Sequence, residues 1–150
     1  MVTTEEKLLF LMSVPIFEKL PGEDLAPLAR VTEVVTFRAG ERIFREGEMG
    51  DALYVVMRGE VAIEKGGRRL AVLGPKEAFG EMAVLDASER SADALARSDC
   101  EALKIDSEAF YDILHEQPEI AEGILKVLTR RLREADAKLQ EAAGAPGPPR

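Results

Sequence analysis

The chain is poor in the residues that neutral-pH enzyme chemistry and metal centres rely on. It has one histidine, His115, and one cysteine, Cys100. A lone cysteine closes no internal disulfide, which fits a reducing cytoplasm. A lone histidine cannot supply the several ligands of a zinc site or of a cupin-type metal centre. His115 sits beside Glu116 on a predicted helix, where a helix-end or surface role suits it better than catalysis. A Walker A loop, a nucleophile elbow and a Cys/His cluster are all missing. No apolar run reaches the ~18 residues of a membrane span. The start is acidic ahead of its apolar residues and lacks a small-residue cleavage site, so it does not read as a signal peptide. Positive charge is in deficit: 20 Lys and Arg face 28 Asp and Glu, a net charge of −8. That balance argues against binding nucleic acid through its phosphates. The expectation is a cytoplasmic protein that is not an enzyme and has no metal or cofactor.

What is there suits one globular domain. At 150 residues, 46% hydrophobic and 32% charged, the chain can bury a single core. Glycines at 40, 47, 50 and 59 punctuate short runs rich in Val, Ile, Tyr and Phe. Val34–Phe37, Arg42–Phe44, Ala52–Met57 and Val61–Glu64 read as strands. Gly66-Gly67 signals a hairpin into Arg69–Leu73. Cys100–Ile105 alternates apolar and polar, which makes Cys100 a small core residue. Such spacing predicts a closed or double-layered antiparallel sheet. Helices are predicted on both sides of it. Glu5–Met12 is broken by Ser13-Val14-Pro15, and Pro21 opens a second helix to about Ala29, with Leu25 and Leu28 inward. Ser107 reads as the N-cap of a helix that buries Ala109, Phe110, Ile113 and Leu114. Pro118 separates it from a long helix, about Ile120 to Ala142. The organisation is therefore a helical segment 1–30, a β region 31–105, C-terminal helices 106–142 and a disordered tail or linker 143–150.

The segment Phe79–Ala92, FGEMAVLDASERSA, carries the chemistry. Gly80 has no Cβ, so a ligand can approach its backbone. Glu81 to Leu85 reads as a short helix whose first N–H groups favour an anion. Arg90 adds a planar, permanently charged fork suited to phosphate, and Ser91 adds a hydroxyl. Glu81 would repel phosphate and needs a donor, which a sugar hydroxyl supplies. Phosphate and sugar together suggest a nucleotide. In isolation Arg90 reads better as a solvated arginine and Glu81 as an ordinary helix-start carboxylate.

The spacing Phe79-Gly80-Glu81-Met82-Ala83-Val84-Leu85, then Arg90-Ser91-Ala92, resembles the phosphate-binding cassette of the cyclic nucleotide-binding domain family. That family includes bacterial cyclic-AMP receptor regulators and the regulatory subunits of cyclic-AMP-dependent kinase. The glycine pattern from Gly40 to Gly59 resembles the same family, and the likeness covers about residues 15–140. It implies a mainly β fold, a β-roll barrel with N-terminal helices and two C-terminal helices. It implies that Glu81 takes the ribose 2′-hydroxyl. Arg90 would grip the cyclic phosphate, helped by Ser91, Ala92 and the backbone of Gly80, Met82 and Ala83. The base pocket implied is Ile63, Leu70 and Ala71 from the barrel, with Leu128, Arg131, Leu132, Ala135 and Asp136 from the last helix.

Three positions depart from the family pattern. Lys76-Glu77 replaces the usual Gly-Asp, Asp93 replaces a Thr or Ser, and Ala135-Asp136 replaces the Thr-Ser pair that reads adenine in the bacterial regulators. Asp136 could accept from a base, but it fits a solvated outer face better. Cyclic AMP is the default ligand, with cyclic GMP as the other choice. Ala121, Leu125, Leu128, Leu132, Ala135, Leu139 and Ala142 form a heptad stripe. In the family this helix is a lid over the base and, in the bacterial regulators, a dimer coiled coil. A lid is expected here, with weak dimerisation as the lesser role because alanines in the stripe would weaken a long-lived dimer. Two other readings stay open. One is a ligand-free interaction domain, which the presence of both Glu81 and Arg90 disfavours. The other is the sensor part of a transcription regulator whose helix-turn-helix lies outside this sequence, or a module of another protein.

Overall fold

The computed structural model describes residues 2–85 and 88–142. The expected tail or linker 143–150 lies outside them. Among these residues eight strands form two four-stranded antiparallel sheets. The first has the order β1 (Glu33–Phe37), β8 (Cys100–Asp106), β3 (Ala52–Arg58), β6 (Ala78–Phe79). The second has the order β2 (Arg42–Phe44), β7 (Asp93–Ala96), β4 (Val61–Lys65), β5 (Arg68–Leu73). This is the β-roll with flanking helices that the glycine spacing and the resemblance implied.

The central strands β3 and β8 are apolar on both faces because both faces are covered. Leu53, Val55, Leu103 and Ile105 point to a cluster shared with the helices. Ala52, Tyr54, Val56, Cys100 and Ala102 point between the sheets, where they meet Phe44, Phe79, Val61, Leu73, Ala94 and Ala96. Alternation with period two divides one strand between two cores. The alanines leave room for three mutually packed rings, Phe44, Tyr54 and Phe79, with centroids 5.2–6.2 Å apart.

Helices α1 (Thr4–Met12), α2 (Gly22–Val31), α4 (Ser107–Glu116) and α5 (Glu119–Ala142) cover the first sheet. A short 3-10 turn, Pro15–Phe17, follows the break after α1. Leu25 and Leu28 are buried, as their spacing required. Phe110 and Ile113 are buried on α4, with Ala109 and Leu114 packed beside them. Ser107 is the first helical residue rather than the N-cap. Asp106 is the cap, in extended conformation, and the Ser107 amide instead donates to the Asp51 carbonyl at 2.9 Å.

Two strands escaped the pattern reading. β6 is two residues long, and β7 is Asp93-Ala94-Leu95-Ala96, whose alanines carry little strand preference. Ladders to β4 and β2 hold β7 in place. Asp93 also fixes this region, accepting from the Glu46 amide at 2.6 Å and from Arg42 at 2.7 Å.

Helix α5 buries only residues near its start. Ile120, Gly123 and Ile124 are buried, Val127 and Leu128 are half-buried, and every residue from Leu132 to Ala142 is exposed. A Cβ on Gly123 would lie 2.6 Å from the Ile16 carbonyl oxygen, so glycine is what allows α5 to rest on the 3-10 turn. The heptad stripe is not the face that packs on the barrel. Leu125, Leu132 and Leu139 are 64%, 64% and 68% exposed. Among the described residues no helix is long and apolar enough to cross a membrane.

Candidate functional site

The mouth of the barrel holds a cavity of about 170 Å³. β6 delivers Phe79 and Gly80 to it, and helix α3 (Glu81–Leu85) starts at its edge. Gly80 has φ +84°, in the left-handed region, and a Cβ there would come within 2.6 Å of Arg90 Nη1. The chain then returns to Arg90, whose amide donates to the Glu48 carbonyl at 2.6 Å and whose carbonyl accepts from Gly47 at 2.9 Å. The turn before β3 thus clamps Arg90 by its backbone.

Arg90 is 4% exposed, which removes the solvated-arginine reading. Nη1 donates to the Gly80 carbonyl at 2.9 Å and Nη2 to the Ala52 carbonyl at 2.7 Å. The guanidinium lies 4.1 Å over the Phe44 ring. Among the described residues its salt-bridge partner is Asp51, highly exposed and 3.9 Å away, and its Nε has no partner. Burial pulls the guanidinium pKa down, opposed by the neighbouring tyrosine and carboxylates. A buried cation with so distant a counter-charge is costly alone and favours an incoming anion.

Glu81 is 7% exposed and faces the same cavity. Arg131 reaches in from α5, donates to the Glu81 carboxylate and also to the Ala78 carbonyl, and leaves its Nε without a partner among the described residues. The cavity is smaller than the ~300 Å³ at which ligand sites begin. Arg131 is the group that fills it from the helix side.

Of the other sequence-derived residues, Ile63, Ala71, Ala83, Ser91 and Ala92 line this cavity. Leu70 and Ala135 line a neighbouring groove instead. Leu128 packs on the helical core, Leu132 is 64% exposed, and Asp136 is exposed. One helix face cannot serve all of them. With Arg131 turned toward the barrel, Leu132 and Asp136 are carried about 100° or more away. Met82 lies in α3.

Phe44, Leu73 and Phe79 also line the cavity and were not foreseen. Tyr111 of α4 was missed too: its hydroxyl donates toward the Val84 and Leu85 carbonyls, tying the end of α3 to α4. Lys76, which stands where the family pattern has glycine, has a left-handed backbone, with φ +73°. Cys100 is buried, and burial raises its thiol pKa. His115 is exposed in the last turn of α4, its Nδ1 2.8 Å from the Tyr111 carbonyl.

This geometry agrees with what the chain is similar to. The sequence profile of the cyclic nucleotide-binding domain matches residues 34–117. The chain belongs to that family. It is 39% identical over 130 residues to the cyclic AMP receptor protein of Thermus thermophilus, covering 83% of this chain and 60% of that protein. It is 34% identical over 134 residues to a CRP-like cAMP-activated global transcriptional regulator of Mycobacterium tuberculosis, covering 84% and 58%. The crystal structure of the catabolite activator protein of Thermus thermophilus superposes with a TM-score of 0.74 at 37% identity, over 86% of this chain and 63% of that one. The chain thus spans about three-fifths of the length of these relatives. It is a cyclic nucleotide-binding regulatory domain.

Proposed function

We propose that the barrel mouth binds cyclic AMP and that occupancy is passed to α5 through Arg131. The observation that carries this reading is the buried Arg90 guanidinium, with its Nε unpartnered and its counter-charge 3.9 Å away and exposed. A cyclic phosphate supplies the missing anion, and the backbone around Gly80 to Ala83, with Ser91, completes its contacts. Glu81 takes the ribose 2′-hydroxyl. That hydroxyl competes with Arg131 for the same carboxylate, so binding loosens the tie between α5 and the cassette. Movement of α3 also reaches α4 through the Tyr111 hydroxyl and the packing of Leu85. The ligand drives this only to the extent that it binds the rearranged state more tightly.

The base meets the apolar side chains Ile63, Ala71 and Leu73. An apolar wall discriminates weakly between purines, so cyclic GMP binds as well, with a preference for cyclic AMP of at most about 100-fold. The names of the similar proteins favour cyclic AMP. Calorimetry with both nucleotides on wild type, Arg90→Ala and Arg131→Ala tests the reading. Heat with wild type, little with Arg90→Ala and altered affinity with Arg131→Ala support it. Wild type that gives neither heat nor a thermal shift with either nucleotide leaves the interaction-domain reading. The exposed leucines 125, 132 and 139, spaced by seven, favour a second role in which α5 pairs weakly with α5 of another copy. Sedimentation that stays monomeric at high concentration refutes that role.

A further inference from the structure

We infer that the groove between β5 and α5 is the electrostatic approach path of the anionic nucleotide, and that its basic rim sets the association rate. The inference rests on the cyclic-nucleotide reading above.

The groove has a volume of about 800 Å³ and adjoins the barrel-mouth cavity, with Ala71, Leu73 and Arg131 lining both. It is open because α5 leaves the barrel after Arg131, and Lys138 Nζ, 3.3 Å from the Leu70 carbonyl, is a weak tie across it. Its charge is opposite to that of the chain. Six basic side chains line it: Arg68 and Arg69 from β5, Lys76 from the turn that follows, and Arg130, Arg131 and Lys138 from α5. The acidic side chains lining it are Glu77 and Glu134. Arg131 is already paired with Glu81, whereas the Arg130–Glu134 and Arg69–Glu64 pairs are both 3.9 Å apart, the latter reaching outside the groove.

A chain of net charge −8 repels an anion at long range. At physiological ionic strength, however, that field is screened beyond about 8 Å. Inside the screening length the local sign decides, and a cleft with low-dielectric walls concentrates it. Bases on both walls of the groove, running to the cavity that holds Arg90, therefore draw the phosphate inward along one route.

The test is stopped-flow binding of a fluorescent N-methylanthraniloyl cyclic AMP, from about 0.01 M to about 1 M salt, which shortens the screening length from about 30 Å to about 3 Å. The wild-type association rate falls as salt rises. Arg68→Glu with Arg69→Glu lowers the low-salt association rate about tenfold or more, leaves dissociation unchanged, and loses its effect near 1 M. Both residues are exposed, so the fold is retained, as a melting curve checks. Arg38→Glu with Arg58→Glu makes the same change in net charge beside a different cavity and leaves the rate unaffected. A wild-type rate that is flat or rises with salt overturns the inference. So do equal losses in the two double variants, or a change confined to dissociation. Binding of poly-glutamate that depends on Arg68 and Arg69, with nucleotide association indifferent to them, makes the groove a site for an acidic protein segment and also overturns it. Wild type that binds no nucleotide at any salt removes the reading beneath it instead.

Discussion

Replacing Arg90 with alanine separates the two tasks that the structure gives this side chain. The first is to hold the cassette. Its fork bridges the carbonyls of Gly80 and Ala52 at 2.9 and 2.7 Å, joining the start of α3 to the start of β3. A buried carbonyl left without a donor costs about 1–3 kcal/mol. Two of them, less the relief from no longer burying a cation, amount to a loss of about 2–4 kcal/mol. For a chain of this size that lowers Tm by about 4–16 °C. The second task is to meet the phosphate. Loss of a buried, charge-assisted contact weakens cyclic AMP by about 2–5 kcal/mol, or about 30-fold to several thousandfold. Urea unfolding measures the first loss and calorimetry the second. Arg90→Lys separates them further. It keeps the charge and so recovers part of the affinity, but one ammonium cannot span both carbonyls, so stability stays low. An Arg90→Ala protein that melts like wild type and binds cyclic AMP within about threefold would refute the argument.

Three further outcomes follow from other parts of the fold. Lys76→Gly raises the unfolding free energy in urea by about 0.5–1 kcal/mol: the left-handed backbone at φ +73° costs lysine about 1–2 kcal/mol, and glycine's greater freedom when unfolded returns only part of that; a lower midpoint contradicts it. Gly123→Ala destabilises by about 1–2 kcal/mol although alanine is the better helix former, because its Cβ meets Ile16 backbone at 2.6 Å on a face that cannot yield; unchanged stability would mean α5 does not rest there. Burial, then Glu41 and Asp99, raises the Cys100 thiol pKa, so the folded protein resists iodoacetamide at mildly alkaline pH while the unfolded chain reacts. This burial contributes stability that is present below the unfolded thiol pKa and lost as pH rises through the folded one. The urea midpoint therefore falls in alkali, and Cys100→Ala lessens the fall.

Some of this was readable because it is local. Glycines at fixed spacing and apolar runs of strand length predicted a double-layered antiparallel sheet, and six of the eight described strands lie close to where they were read. The Gly80-Glu81 to Arg90-Ser91 spacing pointed to one site, and the fold brings these residues to one cavity. Other parts depended on partners distant in the chain. β7 is a strand because β2 and β4 pair with it, whatever its alanines prefer. The helix side of the cavity could not be chosen from an apolar stripe, since Leu128, Leu132 and Leu139 face three different surroundings.

Sequence alone determined the class of the protein: a short cassette of fixed chemistry within a glycine-punctuated sheet, where spacing along the chain is enough because the grip spans a dozen residues. Tertiary structure alone decided the state of that grip. Whether Arg90 is solvated or buried depends on Phe44 and Ala52, which lie 38 or more residues away, the ring against the guanidinium and the carbonyl accepting from it. Whether Glu81 is open or paired depends on where α5 leaves the barrel, and that is set by the absence of a Cβ at Gly123 against Ile16. Burial and counter-charge are sums over neighbours in space, and the order of residues does not disclose them until the chain is folded.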